Sequence, residues 1–181
     1  MFRIVFIIFT ILAVNLSAQE TVSKDIMKSI YEEVKTPHKY GLILSPSDNK
    51  HKIDCPTVFR ENGKWYMSYL VYNGKSGTDG RGYETWLAES DDLLHWNTLG
   101  RILSFPAEGS GRWDENQRAG YVALIDYEWG GSYKAQKFDN KYWMSYFGSD
   151  TRGYERGVLK EGVAYTNGDI TKAHEWQSFD T

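Results

Sequence analysis

Past its first twenty residues the chain alternates apolar and polar positions with the two-residue period of half-buried strands. A helical period occurs once, in SKDIMKSIYEEVKTPHKY. There Ile26, Ile30 and Val34 fall four apart, Ser23 stands at the N-cap position and Pro37 supplies a stop. YGLIL, from Tyr40, is a short strand candidate. From Asp54 the sequence DCPTVFRENGKWYMSYL reads as two strands around a tight Asn62-Gly63 turn. YETWLAES gives a third strand, with Tyr83, Thr85 and Leu87 on one face and Glu84, Trp86 and Ala88 on the other. DDLLHW makes a turn, and LGRILS a fourth strand.

The pattern then repeats. KWYMSYL at Lys64 returns as KYWMSYF at Lys141, RGYE at Arg81 returns at Arg152, and HW at His95 returns as EW at Glu175. Four-stranded units in series predict blades of a β-propeller. The second unit parses as KAQKFDN, YWMSYF, GVAYTN and DITKAHEW. The expected fold class is all-β: two propeller blades, about 54–104 and about 121–181, within a partial propeller domain over 40–181. In such blades the links between blades and between strands 2 and 3 lie at one end. The Gly-rich loops and the run from Phe105 to Ser132 would then gather at the end where Asp54 stands. Loops on a rigid scaffold are where function concentrates. Closure of a ring needs about four blades or more, so the chain reads as part of a longer propeller.

The segment before the helix reads as a signal peptide over 1–18. It has Arg3, an uncharged apolar run too short for a comfortable membrane span, and Ala18 before Gln19. Residues 19–39 form the helix and its lead-in. Export to the periplasm or medium is expected, with no membrane attachment after cleavage. Cys55 is the single cysteine, so no disulfide framework exists, and an isolated exported cysteine is expected to be buried and inert. A net charge of -3 without a basic block excludes nucleic acid as the expected partner. Four scattered histidines give no zinc motif, and no G-x-S-x-G or phosphate loop is present. No cofactor is expected, although a propeller channel has room for a calcium or sodium ion. Aromatic residues make up 15% of the chain, including 7 Trp and 13 Tyr. Most suit a β core; a few are free to stack on sugar rings.

DCPTVFRENGKWYMSY, followed by AESDDLLHW, resembles the five-bladed β-propeller glycosidases of glycoside hydrolase families 43, 32, 62, 117 and 130. Those enzymes open their first blade with an Asp near a Pro. They close the third strand with a pattern like A-x-S-x-D-L-x-x-W, met here by Ala88, Ser90, Asp92, Leu93 and Trp96. The resemblance implies a carbohydrate substrate and makes Asp54 the first-blade carboxylate, a base in inverting members or a nucleophile in retaining ones. Glycoside cleavage needs a second carboxyl to protonate the leaving oxygen. Asp126 is the first candidate partner and Glu128 the second, two apart in an extended segment, with Trp129 as a sugar platform. Asp114, Glu115 and Arg118 are further options. Arg81, Tyr83, Trp86 and Arg118 are candidate substrate contacts. The repeated RGYE is more simply a fold element, and SDDLLHW a structural turn whose Trp96 packs between blades. The general acid of such an enzyme would also fit a later blade. Two alternatives remain: a glycan-binding propeller without catalysis, and a glycoside phosphorylase, for which Arg81, Arg118 and Arg152 would hold phosphate.

Overall fold

The computed structural model describes residues 22–35, 41–46, 51–74, 80–173 and 176–179. The signal-peptide segment, Pro37 and Tyr40 lie outside the described residues. The chain divides into two compact units, 1–39 and 40–181. The described part of the first is helix α1, Lys24–Val34, whose start is capped by the Ser23 hydroxyl accepting from the Ile26 amide. Residues 41–46 of the second unit form no strand.

The second unit is two four-stranded antiparallel sheets, each in sequential order. Blade one is β1 (Lys52–Glu61), β2 (Lys64–Tyr72), β3 (Tyr83–Ser90) and β4 (Asn97–Leu103). Blade two is β5 (Gln117–Val122), β6 (Tyr142–Ser149), β7 (Lys160–Thr166) and β8 (Gln177–Ser178). Asn62 and Gly63 both take positive φ, 49° and 83°, as a two-residue hairpin turn demands. The Ser90–Trp96 turn is closed by its own side chains, as its sequence implied. The Ser90 hydroxyl accepts from the Leu93 amide at 2.9 Å, and Asp92 accepts from the Leu94 and His95 amides at 2.9 and 2.8 Å. Trp96 packs on blade one's own Met67, Tyr69 and Ala88 rather than between the blades.

Two strands of blade two differ from the sequence reading: its outer strand is Gln177–Ser178, just past DITKAHEW, whose residues 169–173 form no strand. The inner strand of blade two is Gln117–Val122, paired along β6, and not KAQKFDN. The turn at Asp139-Asn140 forms with positive φ, but the residues before it make only isolated bridges, Ile125 to Ala135 and Phe138 to Lys141. Gln117–Val122 is almost wholly buried on both faces. Such a strand carries no alternation to read.

The two sheets share a core of Phe59, Tyr66 and Leu87 against Val122, Met144, Tyr146 and Ala164. The Thr85 hydroxyl joins them, donating to the Arg118 carbonyl at 2.9 Å and accepting from the Gly120 amide at 2.7 Å. Where β3 begins, Gly82 lies so close to β5 that a Cβ would stand 1.7 Å from Gln117 Oε1 and 2.6 Å from the Asn116 carbonyl. The backbone oxygen cannot retreat without breaking the Gly82 amide's bond to it. Gly82→Ala is therefore expected to cost about 1–3 kcal/mol by overpacking, read as a lower denaturant midpoint with unchanged slope.

Candidate active site

Asp-Cys-Pro at the start of blade one builds a β-bulge. Asp54 pairs with Leu70, and the next regular pair is Thr57 with Ser68, so Cys55 and Pro56 share one place opposite β2. Cys55 takes φ +48°, and Pro56 has no amide to offer the ladder. The extra residue turns the strand entrance outward, leaving Asp54 and Cys55 exposed. This corrects the expectation of a buried cysteine.

Three donors fix the Asp54 carboxylate. Its Oδ1 accepts from the Cys55 amide at 2.8 Å and the Cys55 thiol at 3.4 Å, and its Oδ2 accepts from the Tyr83 hydroxyl at 3.3 Å. Burial, then contact with Tyr154 and Asp54, pushes the Tyr83 hydroxyl far above its ordinary range, so it remains a donor. Tyr83 is one corner of a ring triad. Its centroid lies 5.6 Å from both Tyr72 and Tyr154, which are 5.7 Å from each other. From blade two, Tyr121 on β5 hydrogen-bonds the Cys55 thiol.

A second carboxylate faces the same cluster. Glu155, exposed in the β6–β7 loop, acts with Asp54 to push up both the Cys55 thiol and the Tyr121 hydroxyl, for each of which burial is the larger cause. Glu155 also lines a pocket of about 250 Å³ with Phe147, Leu159, Lys160 and Glu161. Two blades thus bring an Asp and a Glu to one tyrosine-walled end of the molecule. Sequence reasoning missed Tyr121, Tyr154 and Glu155. The available signal was the second RGYE, which the simpler reading assigned to the fold.

The first RGYE does serve the fold. Arg81 donates from Nε to Asn116 Oδ1 at 3.0 Å and from its terminal nitrogen to the Pro106 and Glu115 carbonyls, while its guanidinium lies 4.4 Å over Phe105. It clamps the link between blades. Arg118 is held as well: Nε and a terminal nitrogen reach Asp114 Oδ2 at 3.0 and 2.6 Å, and the other donates to the Ser104 carbonyl. Trp86 points to the blade-one face opposite Tyr83. It lies under the Arg101 guanidinium, beside a cavity of about 300 Å³ shared with Glu84 and His51. It is not beside Asp54.

Asp126, Glu128 and Trp129 lie at the other end of the blades. They sit between β5 and β6 in a segment whose Tyr133 carbonyl accepts from the Arg60 amide, at the far end of β1 from Asp54. The length of β1 separates the two places, roughly 20 Å at strand spacing. Asp126 accepts from the Ser132 amide and hydroxyl at 3.0 and 2.7 Å and shapes its own loop. The displacement follows from the inner strand: once Gln117–Val122 is β5, everything up to Lys141 belongs to the opposite end. Asp114 and Glu115, the further options, are buried, and Glu115 is spent on the Gly109 and Gly111 amides and the Ser110 hydroxyl. Among the described residues no group of three His, Cys, Asp or Glu side chains is placed to hold a metal ion.

The two sequential four-stranded antiparallel sheets are a pair of neighbouring β-propeller blades. Solved structures agree. The chain is similar to the structure of a complex of BT0996 with RGII, at 59% identity over 89% of this chain and 46% of that one, with a TM-score of 0.80. A second structure, of a glycoside hydrolase, matches at 58% over the same shares and the same TM-score. Zg3597, a family 117 glycoside hydrolase of the marine bacterium Zobellia galactanivorans, shares the fold at 17% identity and TM-score 0.53, over 72% of this chain and 39% of that one. The resemblance to propeller glycosidases read from the sequence therefore holds. The chain spans about half the length of the relatives it matches at high identity. No family model and no curated protein matches it.

Proposed function

We propose that this chain carries part of the active site of an exported glycosidase, with Asp54 and Glu155 as its carboxylates. The single observation that supports the reading is their arrival from two blades at one tyrosine-lined end. Asp54, held by three donors, is suited to activate water or to attack the anomeric carbon. Glu155, on an exposed loop, is suited to protonate the leaving oxygen. The exposed ring of Tyr154 offers a flat face on which a sugar can stack, with the buried Tyr72 and Tyr83 holding it in place. Against the phosphorylase alternative, Arg118 and most of Arg81 are engaged as described and Arg152 is paired with Glu108. The relative solved with RGII makes that glycan the first substrate to try.

The test is incubation of the protein with RGII oligosaccharides, with released sugar followed by chromatography. Release of a discrete sugar supports the reading. Binding without release would favour a glycan-binding propeller instead. Proton NMR of the first product anomer would then separate retention from inversion.

A further inference from the structure

Lys52 stands two residues before Asp54 in the regular part of β1, opposite Tyr72, and so on the same side of the strand as Asp54. Its ammonium is held over two rings of the tyrosine triad, 5.9 Å from the centroid of Tyr72 and 5.7 Å from that of Tyr154. A cation over aromatic faces is positioned without being neutralised. Four arginines of the interblade link and loops are engaged elsewhere. Arg81 is on the interblade link, Arg112 and Arg118 on Asp114, and Arg152 on Glu108. Among the described residues Lys52 has no carboxylate partner, although Asp54 and Glu155 serve the same cluster. An exposed, aligned positive charge beside Asp54 and the exposed Tyr154 ring has a chemical complement: an anionic group on the sugar itself.

We propose that Lys52 is a specificity-determining residue that receives the carboxylate of an acidic sugar unit, so that the site prefers glycans bearing a uronate next to the bond at Asp54. This rests on the glycosidase reading for the bond but not for the binding. The carboxylate would take a charge-assisted hydrogen bond from Nζ, and the sugar ring would lie along the exposed Tyr154 ring.

The experiment uses the full chain and two probes: a uronate-rich oligosaccharide mixture, and the same mixture after carbodiimide–borohydride reduction, which turns each carboxylate into a primary alcohol and leaves the linkages intact. Affinity is followed by tryptophan fluorescence at low salt. The expected result is about tenfold tighter binding of the acidic mixture. Lys52→Gln abolishes the difference and Lys52→Arg keeps it. Equal binding of the two mixtures, binding of neither, or a preference that survives Lys52→Gln overturns the proposal. So does a Lys52→Gln effect confined to the pH profile of turnover, because Lys52 would then act on Asp54 and not on the ligand. Released sugar is measured separately. Preference without release would sink the hydrolase reading and leave the role of Lys52 standing, and release without preference would do the reverse.

Discussion

Asp114→Ala is expected to destabilise the protein by about 3–5 kcal/mol. The carboxylate is fully buried. Arg112 reaches Oδ1 through Nε at 3.0 Å, and Arg118 and the Tyr146 hydroxyl reach Oδ2 at 2.6 and 2.8 Å. Removing it leaves a guanidinium with 9% side-chain exposure facing no charge, which is the expensive half of breaking a buried pair. Trp113 stacks on Tyr146 at 5.5 Å, so the loss also reaches the core between the sheets. The effect is measured by chemical denaturation. A change below about 1 kcal/mol, the scale of a surface ion pair, would mean that the network is solvated. The same residue sets an acid limit. Burial alone would raise the Asp114 carboxyl, but its Arg112, Tyr146 and Arg118 donors outweigh that and hold it below the ordinary aspartate range. A depressed folded value stabilises fully above the unfolded value and is lost as pH falls through the folded one. Stability from Asp114 is thus constant near neutrality and fades only in strong acid, and Asp114→Ala should flatten that acid limb.

Asp54→Asn is expected to lower the rate of glycosidic cleavage by about 10²–10⁴-fold, the usual loss when a positioned base is removed. Asparagine keeps the size of the side chain and an oxygen to accept from the Cys55 amide, while its nitrogen can donate to the Tyr83 hydroxyl, so the bulge should survive. The measurement is kcat on the glycan that releases sugar, together with binding of that glycan. A fall in kcat with binding retained assigns chemistry to Asp54. A parallel loss of binding, or a melting temperature moved by several degrees, would make it a turn residue that holds Cys55 and Pro56 in place. Glu155→Gln provides the companion measurement. If Glu155 protonates the leaving group, glycosides with good leaving groups will be spared much of the loss, whereas under Asp54→Asn they will not.

Six of the eight strands were legible in some form, because alternation and the Asn-Gly turn are local signals. β8, two residues long, is too short to carry alternation, and β5 was not legible either. Its residues are buried on both sides, and the more regular-looking KAQKFDN competed for the same place beside β6. That one exchange carried Asp126, Glu128 and Trp129 to the wrong end. Asp54 was legible because Asp-Cys-Pro before a hairpin has a local meaning. Glu155 was hidden by repetition, since two copies of RGYE invite one explanation. The difference between them is register: β3 begins inside its copy, at Tyr83, whereas β7 begins after its copy, at Lys160. Tyr83 and Glu84 are buried in the sheet, and Tyr154 and Glu155 stay in the loop, exposed.

The bulge at Asp54 also fixes the chemistry of the chain's single thiol. A sulfhydryl-selective dye has one address here, Cys55, and that address is beside the carboxylate. Burial, the bond to Asp54 and the charges of Asp54 and Glu155 keep the thiol protonated against the opposing pull of Tyr121. Alkylation near neutrality is accordingly slow and quickens with alkali, because the thiolate is the reacting form. A sugar seated between Asp54 and the tyrosines would cover the sulfur. The rate of labelling then serves as an occupancy gauge that needs neither turnover nor an engineered cysteine.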